Sequence, residues 1–523
     1  MKKKKNGLGA FLGGRSFVSF MTVAVVIASV VFVNIIAYTL TSYFGLYIYS
    51  VRDDQITIGD AGDDLFEEAI EDGKSVRVTF CMDKKEVSEH TSGSFVHNTA
   101  LQFKEKYPDF ISLNYVNVYT KLYSDSEDYE DGEEFDAGIY KNYKEVDGVR
   151  EYDEKTPILK TSVIFEYIAK DDAGNIIKRE YRVLTDAYTT AGFGNFYTLN
   201  SDLVMTSYNG EEMFASMVAW VLREDHPTAY ITLGHGEMAD PSVASLLTSA
   251  GYHIGYVDLK RESVPSDAAL VVISNPKNDF ERSSDPNMVT EISRLETYKS
   301  RGGNFLVFLD PYGRSLPVLE AFVSDFGMSI EKSEAGGRYM VKDSNNAITS
   351  DGFTLVADHS SDESAKNMLS KTEQYGGRVI LRDVASIKLT GSAKPLLLSS
   401  SSAVCEADGE TQNDDGSYTV SAYARVGEGE NESVMCFIPT VYLTASDAMI
   451  TNGYANKNFL FSVFGELFGM GDMPYGCKSV TFNNLVLENL TMGSARLYTA
   501  LFMCVPIILA AVGTVTLIRR KNR

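Results

Sequence analysis

The chain has 523 residues, and its 71 acidic residues outnumber its 48 lysine and arginine residues to give a formal net charge of −23. This length suffices for two or three domains with sizeable cores. A hydrophobic fraction of 44% and an aromatic fraction of 11% argue against a largely disordered chain. A strongly acidic body repels phosphate backbones, so we expect no nucleic-acid partner.

The charge is unevenly distributed along the chain. Residues 1–16 and 519–523 together carry nine basic residues and no acidic one, whereas the rest carries 39 basic and 71 acidic residues. Beside these basic ends lie uncharged apolar segments of 22 and 21 residues, 17–38 and 498–518, and each is long enough to span a bilayer. Basic flanks stay in the cytoplasm. We therefore predict a two-pass plasma-membrane protein with both termini in the cytoplasm and residues 39–497 outside it.

Two further questions are whether the first apolar segment is a cleaved signal peptide and whether the cysteines form disulfides. A cleaved signal peptide is less favoured than an anchor, because the first apolar segment is longer than a usual signal and lacks a small-x-small cleavage motif. The five cysteines are scattered without a CxxC motif, and one of them, Cys504, lies in the second apolar segment. The other four could pair in an oxidising compartment, but we favour unpaired, mostly buried thiols.

Residues 39–222 are predicted to form an N-terminal extracytoplasmic α/β domain. Within it a strand pattern, a helical pattern and a second strand pattern follow one another as a βαβ unit, over Ser75–Cys81, Phe95–Tyr107 and Ile111–Tyr119. Residues 125–136 then carry eight acidic side chains. They fail the pattern of a calcium loop, because Gly138 stands where a glutamate is needed, so we interpret the run as a solvated insertion.

Residues 223–400 contain the most regular pattern. Apolar strands alternate with helices, as is typical of a parallel sheet covered on both faces. The predicted strands are Ala229–Leu233, Ile254–Leu259, Ala268–Ser274 and Asn304–Asp310, and the predicted helices are Pro241–Ala250, Val289–Ser300 and Pro317–Phe326. We predict a flavodoxin-like, doubly wound domain here, followed by a strand-rich membrane-proximal region over 401–497.

The first candidate site is the loop Gly234-His235-Gly236-Glu237, at the end of the first strand of this domain. Doubly wound sheets bind ligands at the carboxyl ends of their strands. The glycines permit a sharp turn, and a histidine beside a glutamate can serve as an acid–base pair, a ligand clamp or a structural tie. We favour the structural turn and keep ligand binding and catalysis open. One histidine and one glutamate are too few for zinc, so we predict no metal.

The second candidate site is the loop that carries Asp310 and Tyr312, at the end of the fourth strand. Many hydrolases and amidotransferases of similar topology place a serine or cysteine nucleophile on such an elbow, but here Asp310 takes that position and no GxSxG or GxCxG occurs. An aspartate nucleophile would need supporting cations, for which the candidates are Arg314 and Lys277. We favour an N-cap role with Asp310 oriented by local amides. Walker A and GxGxxG motifs are absent, so we predict no cofactor.

Several stretches of the chain, taken in order, resemble a known family. They are Ala229–Glu237, Gly251–Leu259, Val264–Pro276 and Tyr298–Pro311, with Tyr208–Glu212 before them and Lys394–Ala403 after them. Together they resemble the Gld-G-type family, the auxiliary component of gliding-motility-type ABC transport systems. The resemblance implies a membrane-anchored extracytoplasmic subunit that works beside an ABC permease and a separate cytoplasmic ATPase. It also implies a central domain similar to the class I glutamine-amidotransferase fold.

The sequence thus predicts a non-catalytic accessory subunit of an ABC transport system, without a cofactor of its own. Its candidate ligand-binding residues are Gly234, His235, Gly236, Glu237, Asp310 and Tyr312. Two alternatives stay open. One is a cell-surface hydrolase or amidase that uses the crevice between the two loops. The other is a surface ligand-binding or adhesion module that has no transporter.

Overall fold

A computed structural model of the chain describes residues 57–118, 143–146, 149–152, 158–188, 196–199, 205–237, 241–412, 416–440, 443, 454–481 and 520, without 172, 174 and 286. The predicted membrane helices 17–38 and 498–518 and the acidic run 125–136 lie outside these residues. Among the helices that are described, none is both long and apolar enough to cross a membrane.

The helices cover mainly the positions where apolar residues recur at helical spacing. In chain order they are α1 (Ala61–Glu71), α2 (Lys84–Glu89), α3 (Gly93–Lys106), α4 (Gly210–Leu222), α5 (Pro241–Ser249), α6 (Glu291–Ser300), α7 (Pro317–Ser324), α8 (Glu363–Met368), α9 (Ser370–Gln374) and α10 (Asn456–Ser462). A π-helical turn, Val463–Leu467, continues α10.

The strands are numbered in the same way. They are β1 (Val76–Phe80), β2 (Ile111–Tyr115), β3 (Tyr143–Val146), β4 (Val149–Tyr152), β5 (Val163–Lys170), β6 (Ile176–Leu184), β7 (Tyr197–Leu199), β8 (Met205–Tyr208), β9 (Thr228–Leu233), β10 (His253–Asp258), β11 (Ala268–Ser274), β12 (Asn304–Phe308), β13 (Met328–Ile330), β14 (Met340–Lys342), β15 (Thr354–His359), β16 (Val379–Arg382), β17 (Ile387–Leu389), β18 (Lys394–Leu398), β19 (Val404–Ala407), β20 (Glu410–Gln412), β21 (Thr419–Val426), β22 (Ser433–Ile438) and β23 (Val480–Thr481).

The N-terminal part of the described chain contains a four-stranded sheet with the order β2-β1-β5-β6. Strands β1 and β2 are parallel and joined through α3, so the predicted βαβ unit is confirmed. The antiparallel hairpin β5–β6 extends the sheet on the other side. Helix α4 packs on this sheet through Phe214, whose ring centroid lies 4.4 Å from that of Phe103 and 5.2 Å from that of Phe165. Aromatic packing therefore fixes α4 against the N-terminal sheet.

The central part contains a nine-stranded mixed sheet with the order β10-β9-β11-β12-β22-β21-β18-β15-β16. The first five strands in this order are parallel, and the other four run antiparallel to their neighbours. The four predicted parallel strands are present as β9 to β12. Strands β21 and β22, from the region predicted to be separately strand-rich, continue the same sheet. Every residue of β22 is buried, and a strand that is buried on both faces belongs in the middle of a covered sheet.

Both faces of the nine-stranded sheet are covered by helices. Along β11, the side chains of Leu270 and Val272 enter one hydrophobic core, whereas Val271 and Ile273 enter the other. The first core also contains residues of α5 and α10, and the second contains residues of α6 and α7. Alternation of buried side chains to both faces is the packing expected for a doubly wound sheet. The fold is therefore mixed α/β.

The cysteines of the described chain carry free thiols. Cys81, Cys405 and Cys436 are buried, and Cys477 is half-buried. Burial raises the pKa of Cys81 to about 12, so its thiol stays protonated near neutral pH. The prediction of unpaired, mostly buried thiols is confirmed for these four residues.

Candidate functional site

Three loops meet at the carboxyl edge of the parallel strands, after β9, β11 and β12. The Lys277 backbone N–H, in the loop after β11, donates to the carbonyl oxygen of His235 at 2.8 Å. Its side-chain ammonium donates to Asp310 Oδ2 at 2.9 Å. Lys277 thus joins both predicted loops, and it is one of the two cations that we considered as partners of Asp310.

The first loop turns as its glycines predict. Gly234 and Gly236 have φ angles of +106° and +73°, in the left-handed region that side chains disfavour. A Cβ atom at Gly236 would lie 3.3 Å from Cβ of Lys277. This position therefore needs glycine both for its backbone conformation and for the close approach of the neighbouring loop.

The His235 imidazole lies between two carboxylates. Its Nδ1 atom is 3.1 Å from Glu237 Oε1, and its Nε2 atom is 2.8 Å from Glu291 Oε1. The ring also stacks on Phe280, with centroids 4.0 Å apart and planes inclined by 13°. The side chains of His235, Glu237 and Glu291 are 0%, 1% and 1% exposed, so water does not reach the group.

The electrostatics of this group favour a protonated ring. Burial opposes the charge, but the hydrogen bonds to Glu237 and Glu291 outweigh it and raise the pKa of His235 above its ordinary value. Burial likewise opposes ionisation of Glu237, yet the hydrogen bonds from the His235 ring and from backbone N–H groups lower the pKa of that carboxyl. The His235 backbone N–H is one of these donors, at 2.7 Å from Oε2. The group is a buried imidazolium held by carboxylates on both sides.

Glu291 was not predicted from the sequence. It is the first residue of α6, after the capping box that Thr290 forms with Ser293. Its Oε2 atom accepts the Glu281 N–H at 2.6 Å while Oε1 meets the His235 ring. A glutamate in the first turn is common in helices because it complements the helix dipole, so nothing in the local sequence distinguished Glu291 from other such residues.

This geometry limits what His235 can do chemically. Both ring nitrogens are engaged, which leaves no free lone pair for a substrate proton or a metal ion. Glu237 and Glu291 meet different ring nitrogens and do not converge on a common point. No set of three or more potential metal-ligating side chains comes together in the described ranges. The favoured structural role of the loop agrees with these contacts.

The second loop is held by its own amides and by a buried arginine. Asp310 Oδ1 accepts the Tyr312 N–H at 3.0 Å, as the expectation of local amides requires. Arg338 donates to the carbonyl oxygens of Asp310, Pro311 and Gly313 at 2.9, 3.1 and 3.2 Å. The prediction that this loop supplies the N-cap of the following helix is wrong. The first N–H groups of α7 are capped from the loop after β11 instead.

That cap is Asp279. Its Oδ2 and Oδ1 atoms accept the N–H groups of Val318 and Leu319 at 2.9 and 3.1 Å. The position directly before α7 is Leu316, which has no side-chain oxygen to offer. The Asp279 carboxylate, 39 positions before Val318, supplies the missing acceptor from the loop that follows the neighbouring strand β11.

The two candidate loops thus share an edge but form no joint catalytic crevice. His235 is bound to Glu237 and Glu291, whereas Asp310 is bound to Lys277 and the amide of Tyr312. The Tyr312 side chain is 65% exposed. It borders an open cleft of about 700 Å³ that lies between the loop after β12 and the small sheet β14-β19-β20.

A further buried carboxylate, missed by sequence reasoning, lies at the start of α4. Glu211 Oε1 accepts the Gly59 N–H at 2.6 Å, and its carboxylate also accepts the Lys478 N–H. Close by, β23 pairs with β8, with Val480 opposite Tyr208. The described segments that lead towards the two predicted membrane helices therefore meet at one side chain. We call Gly59, Glu211 and Lys478 the clasp.

The residue after Glu211 strengthens this junction. Glu212 is buried and binds the ammonium group of Lys457, on α10, and it accepts the Ser249 hydroxyl at 3.0 Å. Burial raises the pKa of Glu211 above its ordinary value, against the hydrogen bonds from Gly59 and Lys478. The only signal for both glutamates in the sequence was their place in the resemblance, within Tyr208–Glu212.

Comparisons with known proteins give the following result. No protein-family model matches the chain, and a search of curated proteins found no match. Among solved structures, the mmIFT52 N-terminal domain is similar at 13% identity with a TM-score of 0.35, over 47% of this chain and 99% of that one. PurLQS from Thermotoga maritima is similar at 11% identity with a TM-score of 0.28, over 46% and 100%. A glutamine amidotransferase from Thermotoga maritima is similar at 10% identity with a TM-score of 0.26, over 47% and 100%.

Proposed function

We propose that the protein is a non-catalytic accessory subunit of an ABC transport system, held in the plasma membrane by residues 17–38 and 498–518. The observation that carries the proposal is the clasp. Glu211 binds backbone N–H groups from near the two ends of the described residues 57–481, at Gly59 and Lys478. The two described segments that lead towards the predicted membrane helices therefore lie side by side at Glu211, which supports anchoring of this part of the chain from both of its ends.

The chemistry of the central sheet supports a non-catalytic role. At the strand end where related topologies carry a serine or cysteine nucleophile, this chain has Asp310, which is neutralised by Lys277. The nearby imidazole of His235 is sealed between carboxylates. We infer an amidotransferase-like domain that has lost its nucleophile and serves as a rigid body. No contact among the described residues favours the hydrolase alternative.

The proposed partners rest on the resemblance to the Gld-G-type family. We propose that an ABC permease and a separate cytoplasmic ATPase accompany the chain, because it has no Walker A motif with which to bind nucleotide itself. The extracytoplasmic part would then lie over the permease, with the strongly acidic body outside and the basic ends inside.

Affinity purification of the tagged full chain, expressed at its native level and solubilised in mild detergent, tests this proposal. We expect a permease and an ATPase in the eluate, identified by mass spectrometry, and their absence from a parallel purification of the untagged chain. Recovery of the chain alone would contradict the proposal. A Glu363→Cys variant adds a test of topology, because this exposed position should react with a membrane-impermeant thiol reagent in intact cells.

A further inference from the structure

The open cleft beside Tyr312 has walls built from three turns. One is the loop after β12, the second is the turn from Ser333 to Gly337, and the third is the β19–β20 turn at Asp408 and Gly409. Asp408 Oδ2 accepts the Ser333 hydroxyl at 2.5 Å and the Gly337 N–H at 2.8 Å, which ties the second turn to the third. The cleft is therefore a preformed space of about 700 Å³, within the size range of sites for small ligands.

The positive charges on the walls are already neutralised. Arg338 and Lys332 both bind Glu320, at 2.7 and 2.5 Å, and Arg338 is almost fully buried. Glu406, which lines the cleft, binds Lys342 at 2.9 Å. An anionic ligand would find no unpaired cation among these groups, so phosphate and carboxylate ligands are disfavoured.

The remaining polar groups of the walls are both acceptors and donors. The carboxylates of Asp408 and Glu410 accept hydrogen bonds from neutral groups, namely the Ser333 hydroxyl, the Gly337 N–H and the Tyr339 hydroxyl. Exposed hydroxyl groups on Ser315 and Thr411 can donate as well as accept. A ligand whose own hydroxyl groups each donate and accept would match this mixture, whereas a cation would match the carboxylates alone.

Aromatic side chains supply the apolar surface of the cleft. Tyr312, 65% exposed, stands in the cleft wall, and Phe353 lies half-buried in its lining. An exposed ring offers a flat, electron-rich face against which polarised C–H groups can pack. The C–H face of a sugar ring fits such a surface, while its hydroxyl groups point sideways towards the polar walls.

We propose that this cleft binds a neutral oligosaccharide, which stacks on Tyr312 and donates hydroxyl hydrogen bonds to Asp408 and Glu410. The site is distinct from the sealed group around His235. It goes beyond the accessory role proposed above, and its failure would leave the copurification of permease and ATPase unaffected.

An array of neutral oligosaccharides, probed with the solubilised full chain, tests the proposal, and calorimetry then gives the affinity for the strongest glycan. We expect Tyr312→Ala to weaken that affinity by about tenfold and Tyr312→Phe to change it by less than about threefold, because the ring and not the hydroxyl makes the stack. Tyr256→Ala is the matched control, since this tyrosine on β10 is 42% exposed and lies outside the cleft. We expect it to leave the affinity unchanged.

Three outcomes would overturn the proposal. They are the absence of any bound neutral glycan, an affinity that Tyr312→Ala leaves unchanged, and preferential binding of trilysine in a parallel titration. The last result would assign the cleft to a cationic ligand through Asp408 and Glu410. Thermal unfolding of each variant verifies that a loss of binding does not come from a loss of fold.

Discussion

Two neighbouring loops at one edge of the same sheet have opposite characters. The loop after β9 places His235 in a sealed group with two carboxylates and Phe280, whereas the loop after β12 presents Tyr312 to an open cleft. The crevice where a doubly wound sheet usually receives its ligand is filled here by the protein's own side chains. The difference teaches that topology identifies the edge, but side-chain packing decides which part of it is available to a ligand.

The largest expected effect concerns the sealed group. We expect His235→Leu to lower the free energy of unfolding by about 3–5 kcal/mol, because it leaves Glu237 and Glu291 buried without their cation. Urea denaturation monitored by circular dichroism gives this value. The control is Lys85→Ala, which removes an exposed pair with Glu89 at 3.9 Å and should change stability too little to measure. Equal effects of both substitutions would show that the group is not sealed.

Glycine substitutions in the two loops should have a smaller effect on the free energy of unfolding. Gly236→Ala should cost about 1–2 kcal/mol for the left-handed conformation, and more because the new methyl group crowds Lys277. Gly336, in a wall of the open cleft, has a φ angle of +93°, but a Cβ atom there would meet no atom within 4 Å. Gly336→Ala should therefore lower the free energy of unfolding only by the cost of the left-handed backbone conformation. Unfolding in urea compares the two. A larger loss for Gly336→Ala would contradict the contrast between a crowded and an open loop.

His235 should stay protonated at a higher pH than the buried histidine His97. Because its pKa is raised by its carboxylate partners, its stabilising contribution is complete below its ordinary value of 6.5 and is lost as pH rises through the folded value. Burial lowers the pKa of His97 to about 4, so that ring should be neutral at pH 6. Ring chemical shifts from nuclear magnetic resonance, followed across pH, measure both. A neutral His235 at pH 6 would be inconsistent with the proposed imidazolium.

The smallest effect on stability is expected in the open region. Tyr312 is 65% exposed, and its hydroxyl makes a long hydrogen bond of 3.3 Å to Asp383. We expect Tyr312→Ala to change the free energy of unfolding by less than about 0.5 kcal/mol, as surface substitutions usually do. A loss of several kcal/mol in denaturation experiments would mean that the ring supports the fold rather than a ligand.

The local pattern of the sequence was sufficient to predict most elements of the central fold. Strands β9 to β12 are continuous apolar runs between helical patterns, and such runs are informative because both faces are buried. Strand β22 has the same character, but its place beside β12 depends on a pairing between Phe305 and Met435, far apart in sequence. Nothing in the local pattern specifies that pairing, so the C-terminal strands were predicted as a separate region.

The site could be predicted only in part for a similar reason. The glycines and the histidine of the first loop were sufficient to predict a sharp turn there, because glycine tolerates backbone conformations that other residues avoid. The third member, Glu291, is 56 positions from His235 and looks like an ordinary first-turn glutamate. The capping of α7 by Asp279 is equally non-local. Partners that meet only after the chain has folded leave no spacing signal in a single sequence.

We propose that the clasp lies near the membrane, beside a permease. Lys478 is exposed, and its backbone N–H binds Glu211, so a photo-crosslinking residue at this position keeps that hydrogen bond. Irradiation of membranes that contain a Lys478→p-benzoylphenylalanine variant, followed by mass spectrometry of the crosslinked band, measures what lies there. We predict a crosslink to the permease of an ABC transport system that disappears without irradiation. Crosslinks to lipid or to copies of this chain alone would contradict the claim.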